Sequence, residues 1–460
     1  MPKKYHIDVE ETPSRYPTIG RSGIVDWGEG CLKCPVCVKQ TCIYDVYRKR
    51  SFSTEIMADT IDELCKNCMR CVQGCPQRLI HKTLNPEWEA LGDDVYTPEI
   101  ITINWRQAET GKIPVSGAGY GGAFSGPGFD SMWTDMSEIV RPTRDGIHGR
   151  EYISTVVDIG RQSSRLEFDD TGKLLTPRLP FVRIPIPVIF DILPFGDFSP
   201  HVWRAMALAA SRLGTLMVVP EHELNGLSGL GANLIPFLET DRLGADRLGS
   251  YALVEIPDGR EVRDRTVSLK ESRPDLIVSI RVPAQTGSTR RAIELAGSGA
   301  DVIHVVADER GHVIGSDGSQ HLKDAIRSIH TALLSGSLRD EVTLIASGGI
   351  AMAEHVTKAC LCGANLVGVD IPLLIALECR VCRNCLDGGE CPVDIAGIEA
   401  GWGTQRMVNL MGAWHNQLLE MMGAMGIREA RRLRGEQGRL MFIEDLEADT
   451  FGRIFSERGS

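Results

Sequence analysis

The residues best equipped for chemistry are cysteines. The 460-residue chain has fourteen, and twelve fall in three tight groups. These are Cys31, Cys34, Cys37 and Cys42; Cys65, Cys68, Cys71 and Cys75; and Cys379, Cys382, Cys385 and Cys391. Only Cys360 and Cys362 stand apart, on a helix where they read as core thiols. A spacing of two lets three thiolates from one loop reach three corners of an iron–sulfur cube. Zinc is the alternative, but zinc sites take ligands in two pairs. Eight cysteines in two triplets plus singles fit two [4Fe–4S] cubanes better. The third group follows two glycine turns, Ile345-Ala-Ser-Gly-Gly-Ile350 and Gly363-Ala-Asn-Leu-Val-Gly-Val-Asp370. Two successive βα turns with bare backbone amides can hold a phosphate. A phosphate-bearing cofactor beside a cluster points to a flavin that exchanges electrons with iron.

Those turns need strands to carry them. Apolar runs rich in Val and Ile occupy 181–190, 215–220, 251–256, 275–282, 301–307, 342–347 and 365–369. Near-continuous apolar strands are the mark of a parallel sheet covered on both faces. Helical patterns separate them, and Ser199-Pro200 is an N-cap with proline at the first helical position. The alternation fits a (β/α)8 barrel or an open doubly wound sheet, with seven strands visible and an eighth expected. Ligands of a barrel sit at the C-terminal strand ends. Those ends carry Phe195, Gly196 and Ser199; Glu221 and His222; Arg281; Asp308; Ser347, Gly348 and Gly349; and Gly368, Val369 and Asp370. His222, His304 and His312 each fall near such an end, where a histidine can be structural or catalytic.

The run Cys65-x2-Cys68-x2-Cys71-x3-Cys75-Pro76 resembles a bacterial dicluster ferredoxin. In that motif the last cysteine, followed by proline, ligates the other cluster. The expected pairing is Cys31, Cys34 and Cys37 with Cys75, and Cys65, Cys68 and Cys71 with Cys42. The expected layout is a small α+β ferredoxin-like domain over 1–84, a Gly/Pro-rich linker over 85–150, an α/β barrel over 151–400 with its cluster loop at 379–391, and C-terminal helices over 401–460. Gly117-Ala-Gly119-Tyr-Gly-Gly122 matches G-x-G-x-x-G, but the following Ala-Phe-Ser-Gly-Pro-Gly cannot open a helix, so a dinucleotide site fails its context. Trp133 and Met136 are expected to pack against the barrel. A helix over 404–426 carries Met407, Leu410, Met411, Trp414, Leu418 and Met421 on one face, for core packing or for a partner subunit.

From about residue 150 to 440 the chain resembles the synthase half of glutamate synthase, in its short archaeal-type form with its own ferredoxin segment. The family's first-strand turn is similar to Leu193-Pro-Phe-Gly-Asp-Phe-Ser199, and its glycine turns to Ser347-Gly348-Gly349 and Gly368-Val-Asp370. Its cluster motif is similar to Cys379-x5-Cys385-x5-Cys391-Pro-Val-Asp394. The resemblance implies FMN in the barrel, held by Phe195, Gly196, Ser199, Arg281, Ser347–Gly349 and Gly368–Asp370, with Arg281, Glu221 and His222 as catalytic candidates. It implies a [3Fe–4S] cluster at the third site. Cys382 adds a local fourth thiolate, which suits a [4Fe–4S] cluster; the alternative is a buried free thiol.

The implied activity is reductive glutamate formation from 2-oxoglutarate with glutamine or ammonia. The alternative is an electron-transfer subunit that keeps FMN and the clusters but makes no glutamate. The family's substrate loop is replaced by Asp308-Glu-Arg-Gly-His312-Val-Ile-Gly315-Ser-Asp-Gly318, a family lysine becomes Arg281, and Asp197 and Asp370 stand where the family has small residues. No amidotransferase nucleophile opens the chain. Partners would be other redox or amidotransferase subunits of an oligomer, and an electron donor such as ferredoxin or an NAD(P)H-oxidising flavoprotein subunit. The net charge of −11 excludes a nucleic-acid footprint, and no apolar run reaches membrane-spanning length. Cysteine usage and the missing signal core point to the cytoplasm.

Overall fold

The computed structural model describes residues 5–25, 31–48, 61, 64–65, 68–113, 126–135, 153–163, 165–176, 178–196, 198–239 and 248–455. The glycine run at 117–122, Met136 and Asp197 lie outside the described residues.

Eight parallel strands close into a barrel in sequence order. They are β1 (Val188–Phe190), β2 (Met217–Pro220), β3 (Leu234–Phe237), β4 (Leu253–Pro257), β5 (Ile277–Pro283), β6 (Val302–Val306), β7 (Thr343–Ser347) and β8 (Leu366–Val369). The strand missing from the sequence reading is β3. Its Leu-Ile-Pro-Phe carries a proline, and a 3₁₀ segment, Glu221–Leu227, joins β2 towards it in place of an amphipathic helix. The run over 181–190 is also two elements. Phe181–Ile184 pairs antiparallel with Val157–Gly160, and β1 starts after Pro185 and Pro187.

Each strand gives one side chain to the barrel floor: Ile189, Val218, Ile235, Leu253, Ile277, Val302, Ile345 and Leu366. Val157, Ile159 and Ile184 close it from below, and Gly160 exchanges hydrogen bonds with the Thr343 side chain at the start of β7. Strand side chains alternate with period two. Two residues above the floor come Asp191, Glu255, Ser279, His304, Ser347 and Gly368, and two further on β5 comes Arg281. The inner layer next to the mouth is therefore polar, although the strands look apolar in sequence.

Four helices matter for the site: α1 (Pro98–Thr110), α2 (Pro200–Leu213), α3 (Ile371–Ala376) and α4 (Ala400–Ala424). The long C-terminal helix starts at Ala400, four residues before its expected start, and packs on α1 and α2. Met407, Leu410, Met411, Trp414 and Leu418 are buried there, so its apolar face serves the core of this chain. Trp414 donates to Gln107 of α1 at 3.1 Å. The Arg406 guanidinium is fully buried and donates to the carbonyls of Ala376, Thr12 and Trp105, tying α4 to the end of α3 and to the N-terminal segment. Trp133 is half-buried on a short strand paired with Leu440–Phe442.

Candidate redox site at the barrel mouth

The third cysteine group forms one wall of a cavity of about 380 Å³. Cys379, Cys382, Cys385 and Cys391 all line it, together with Phe195 and Phe198 of the loop after β1. Cys382 is exposed, so it is no buried free thiol; it shares the cavity with the other three. Cys379 is buried, and burial pushes its thiol up to about 12. Such a thiol favours a neutral state unless a bound metal takes the place of its proton.

The loop is held in a costly shape. Val381 and Arg383 adopt left-handed conformations at φ 53° and 56°. For a β-branched residue such as Val381 that is an outlier, worth roughly 1–3 kcal/mol of strain. It aims the Val381 amide at the Cys379 sulfur, 3.4 Å away. The loop ends are clamped by Arg15. Its backbone amide and Nε donate to Glu378, its Nη atoms donate to the carbonyls of Val393 and Asp394, and its guanidinium stacks 4.6 Å from the Trp402 ring.

The N-terminal cysteines surround a separate small core of Val46, Tyr47, Ile61, Leu64 and Ile80, with Cys37 in it and Cys42, Cys65, Cys71 and Cys75 packed against it. Lys33 and Met69, within two of the Cys-x2-Cys steps, are also left-handed. The Lys33 amide donates to Cys31 Sγ, and the Leu79 amide to Cys75 Sγ, each at 3.4 Å. Burial raises the Cys75 thiol pKa, but four backbone N–H groups outweigh it and lower the value. The Tyr47 hydroxyl donates to Cys71 and lies close to Cys37 and Cys42. Amides turned towards sulfur in successive loops are the surroundings a thiolate-bound cluster uses.

Inside the barrel, the polar layer closes into a ring. Arg281 grips both oxygens of Asp191 at 2.8 and 3.0 Å and Glu255 at 2.9 Å. Glu255 meets Ser279 at 2.9 Å and His304 Nδ1 at 2.8 Å. His304 Nε2 meets Ser347 Oγ at 2.6 Å, and Ser347 bonds to Asp191. Burial works to raise the pKa of Asp191 and Glu255, but Arg281 and His304 outweigh it and hold both low. Asp370 differs. Burial, then the neighbouring Asp191, pushes its carboxyl up to about 7.

The expected site residues therefore divide. Arg281 and Ser347 join the ring, and the Arg281 Nη groups are committed to carboxylates beneath the mouth. A Cβ at Gly368 would strike the Ser347 hydroxyl. Gly348 and Gly349 have φ 104° and 67°, and a Cβ on either would meet the 308–311 loop at 2.5–2.7 Å. Asp370 corrects the expectation of two bare turns. Its carboxylate accepts from its own amide and from the Ile371 amide at 2.6 Å, so the turn after β8 is capped from within. Ser199 supplies the opposite case. At the N-terminus of α2 its hydroxyl is buried without a hydrogen-bond partner. Glu221 and His222 sit in the 3₁₀ segment after β2, where the exposed His222 ring lies 3.8 Å from Glu223. Asp191 and Glu255 are not legible as site residues in the sequence; their signal is a polar residue in or just past an apolar strand, two positions beyond a floor residue. Asp130, Glu354 and His355 also cluster, but the Lys358 ammonium lies 3.0 Å from Glu354 and 3.7 Å from Asp130, where a cation would sit.

Residues 244–428 match the family model described as the conserved region in glutamate synthase. The archaeal-type glutamate synthase [NADPH] of Dehalococcoides mccartyi is 26% identical over 88% of this chain and 92% of its own length. The archaeal glutamate synthase [NADPH] of Archaeoglobus fulgidus is 26% identical over 92% of this chain and 94% of its own. Among solved structures, a mandelate oxidase variant aligns at 16% identity and a TM-score of 0.43 over 77% of this chain and 96% of that one, too distant to add to the barrel's own topology. Residues 244–428 thus carry the conserved region of glutamate synthase on a closed parallel barrel, and most of the chain is similar to archaeal-type glutamate synthases, which are oxidoreductases.

Proposed function

We propose that the chain is an iron–sulfur flavoprotein oxidoreductase of the glutamate synthase type. The observation that carries this reading is the convergence of Cys379, Cys382, Cys385 and Cys391 on one cavity that is also lined by Phe195 and Phe198 of the barrel-mouth loop. The orphaned Ser199 hydroxyl at the head of a 14-residue helix fits a bound FMN. Ser199, the Phe195–Gly196 turn and the Ser347–Gly349 turn would hold it. When bound, FMN supplies hydride chemistry and accepts single electrons. The chain's own residues position and insulate. Arg15 holds the cluster loop, Phe195 closes the space between cluster and mouth, and the Arg281 ring seals the barrel below.

Eight N-terminal cysteines would hold two [4Fe–4S] clusters, in the pairing of Cys31, Cys34 and Cys37 with Cys75, and of Cys65, Cys68 and Cys71 with Cys42. The third group would hold a further cluster, with four irons favoured by the place of Cys382 in the cavity. Electrons would come from ferredoxin or from an NAD(P)H-oxidising partner subunit; NADPH is the donor printed in the names of the two relatives. Among the described residues no helix is long and apolar enough to cross a membrane. An oligomer in the cytoplasm remains the working assignment.

A second reading, an electron-transfer subunit that makes no glutamate, is favoured by the rebuilt mouth. Arg281 is tied to Asp191 and Glu255, and Asp370 caps the β8 turn. Turnover separates the two. Reduced ferredoxin with 2-oxoglutarate and ammonia or glutamine should give glutamate under the first reading and none under the second.

A further inference from the structure

Arg383 lies between two of the third-group cysteines, Cys382 and Cys385, and lines their cavity. Three parts of the molecule meet at its guanidinium. Its Nε donates to Glu309 Oε1 at 2.9 Å, on the loop after β6. Its Nη1 binds the Asp93 carboxylate, just ahead of α1. Its face lies 5.4 Å from the ring of Phe195, on the loop after β1. Asp93 is itself fixed by the amides of Val95 and Tyr96 at 2.9 and 2.8 Å. Glu309 belongs to the loop whose backbone at Arg310 and Gly311 packs on Gly349. Arg383 thus lines this cavity and at the same time reaches two barrel-mouth loops.

We propose that Arg383 is the positioning residue that ties the Cys379–Cys391 cluster to the barrel mouth and sets its reduction potential. The proposal rests on the reading that these cysteines hold an iron–sulfur cluster. A guanidinium stays charged across the working pH range and is weakly hydrated, which suits a partly buried position against a cluster wall. Each electron that enters the cluster adds a negative charge beside it. A fixed positive charge favours the reduced state, and a fixed negative charge opposes it. Asp93 and Glu309 hold Arg383 in place and temper its field.

The sign of the effect separates electrostatics from simple loosening. On anaerobically purified holoprotein, the midpoint of each cluster is read by EPR-monitored redox titration, with iron and sulfide counted in each variant. Arg383→Gln should move the third cluster to a more negative potential and leave the two N-terminal clusters unchanged. Arg383→Lys should restore most of the shift. Glu309→Gln and Asp93→Asn, which remove negative charge, should move it the opposite way. An unchanged midpoint in a fully loaded Arg383→Gln protein overturns the proposal, as does a shift of the same sign in all variants. If Arg383→Gln fails to load its cluster, the Glu309→Gln and Asp93→Asn shifts decide. Wild-type protein with only the N-terminal iron would sink the cluster reading itself, and this proposal with it.

Discussion

Replacing Arg281 with methionine tests whether the barrel ring is a paired charge cluster. The substitution keeps much of the side-chain volume but leaves Asp191 and Glu255, 1% and 0% exposed, without their shared cation. Removing one partner of a buried ion pair costs about 3–5 kcal/mol. At barrel size this should lower the melting temperature by roughly 6–20 °C. The dependence on pH carries a second signature. The folded pKa of Asp191 is depressed, so its stabilisation is fully present above the ordinary carboxylate value and is lost as pH falls through the folded one. Arg281→Met should therefore be most damaging at about pH 8 and lose much of its effect below about pH 4, where unfolded carboxylates are already protonated. The control is Arg434→Ala. The Arg434–Asp340 pair is 28% and 75% exposed and should contribute about 0–1 kcal/mol. Chemical and thermal denaturation followed by circular dichroism give both values. A cost for Arg281→Met no larger than that of the control, or one that stays constant over this pH range, would refute the paired-cluster account.

Asp370→Asn keeps a cap on the turn after β8 and removes a carboxyl raised to about 7. Because the folded pKa lies above the unfolded one, wild-type stability falls between about pH 4 and pH 7. The asparagine variant should gain up to roughly 4 kcal/mol above neutrality and nothing at about pH 4, read from denaturation midpoints. Ser337 is exposed and left-handed, at φ 55°, just past the helix Leu322–Ser335, so Ser337→Gly should stabilise by about 1 kcal/mol in the same assay. Cys382→Ser should leave the N-terminal clusters intact and convert the third to a three-iron EPR signal; an unaltered four-iron centre would show that Cys382 is not a ligand.

The fold was legible where the chain repeats one physical motif. Parallel strands buried on both faces announce themselves as Val/Ile runs, and seven of the eight were visible. The eighth, Leu234–Phe237, hid because proline interrupts it and no amphipathic helix leads into it. The cysteine groups stand out in the sequence because the spacing a cluster would need is local. The ring was not, because its members come from strands β1, β4, β5, β6 and β7 or the residue just past them, and only closure brings them together. Asp191, Glu255 and His304 each look like a single polar break in an apolar strand. Asp370 was noticed as a departure from the family pattern, yet its capping of the turn depends on backbone geometry that the sequence does not spell out. Arg383 was invisible for a similar reason: its partners are 74 and 290 residues away in sequence.

A chain of iron–sulfur centres leading to a flavin barrel has a defined cofactor content. The most direct measurement is the iron, acid-labile sulfide and flavin content of anaerobically purified protein. About eleven or twelve irons with matching sulfide and one FMN per chain are expected. Zinc without acid-labile sulfide, or full iron with no flavin retained or taken up on reconstitution, would contradict that content.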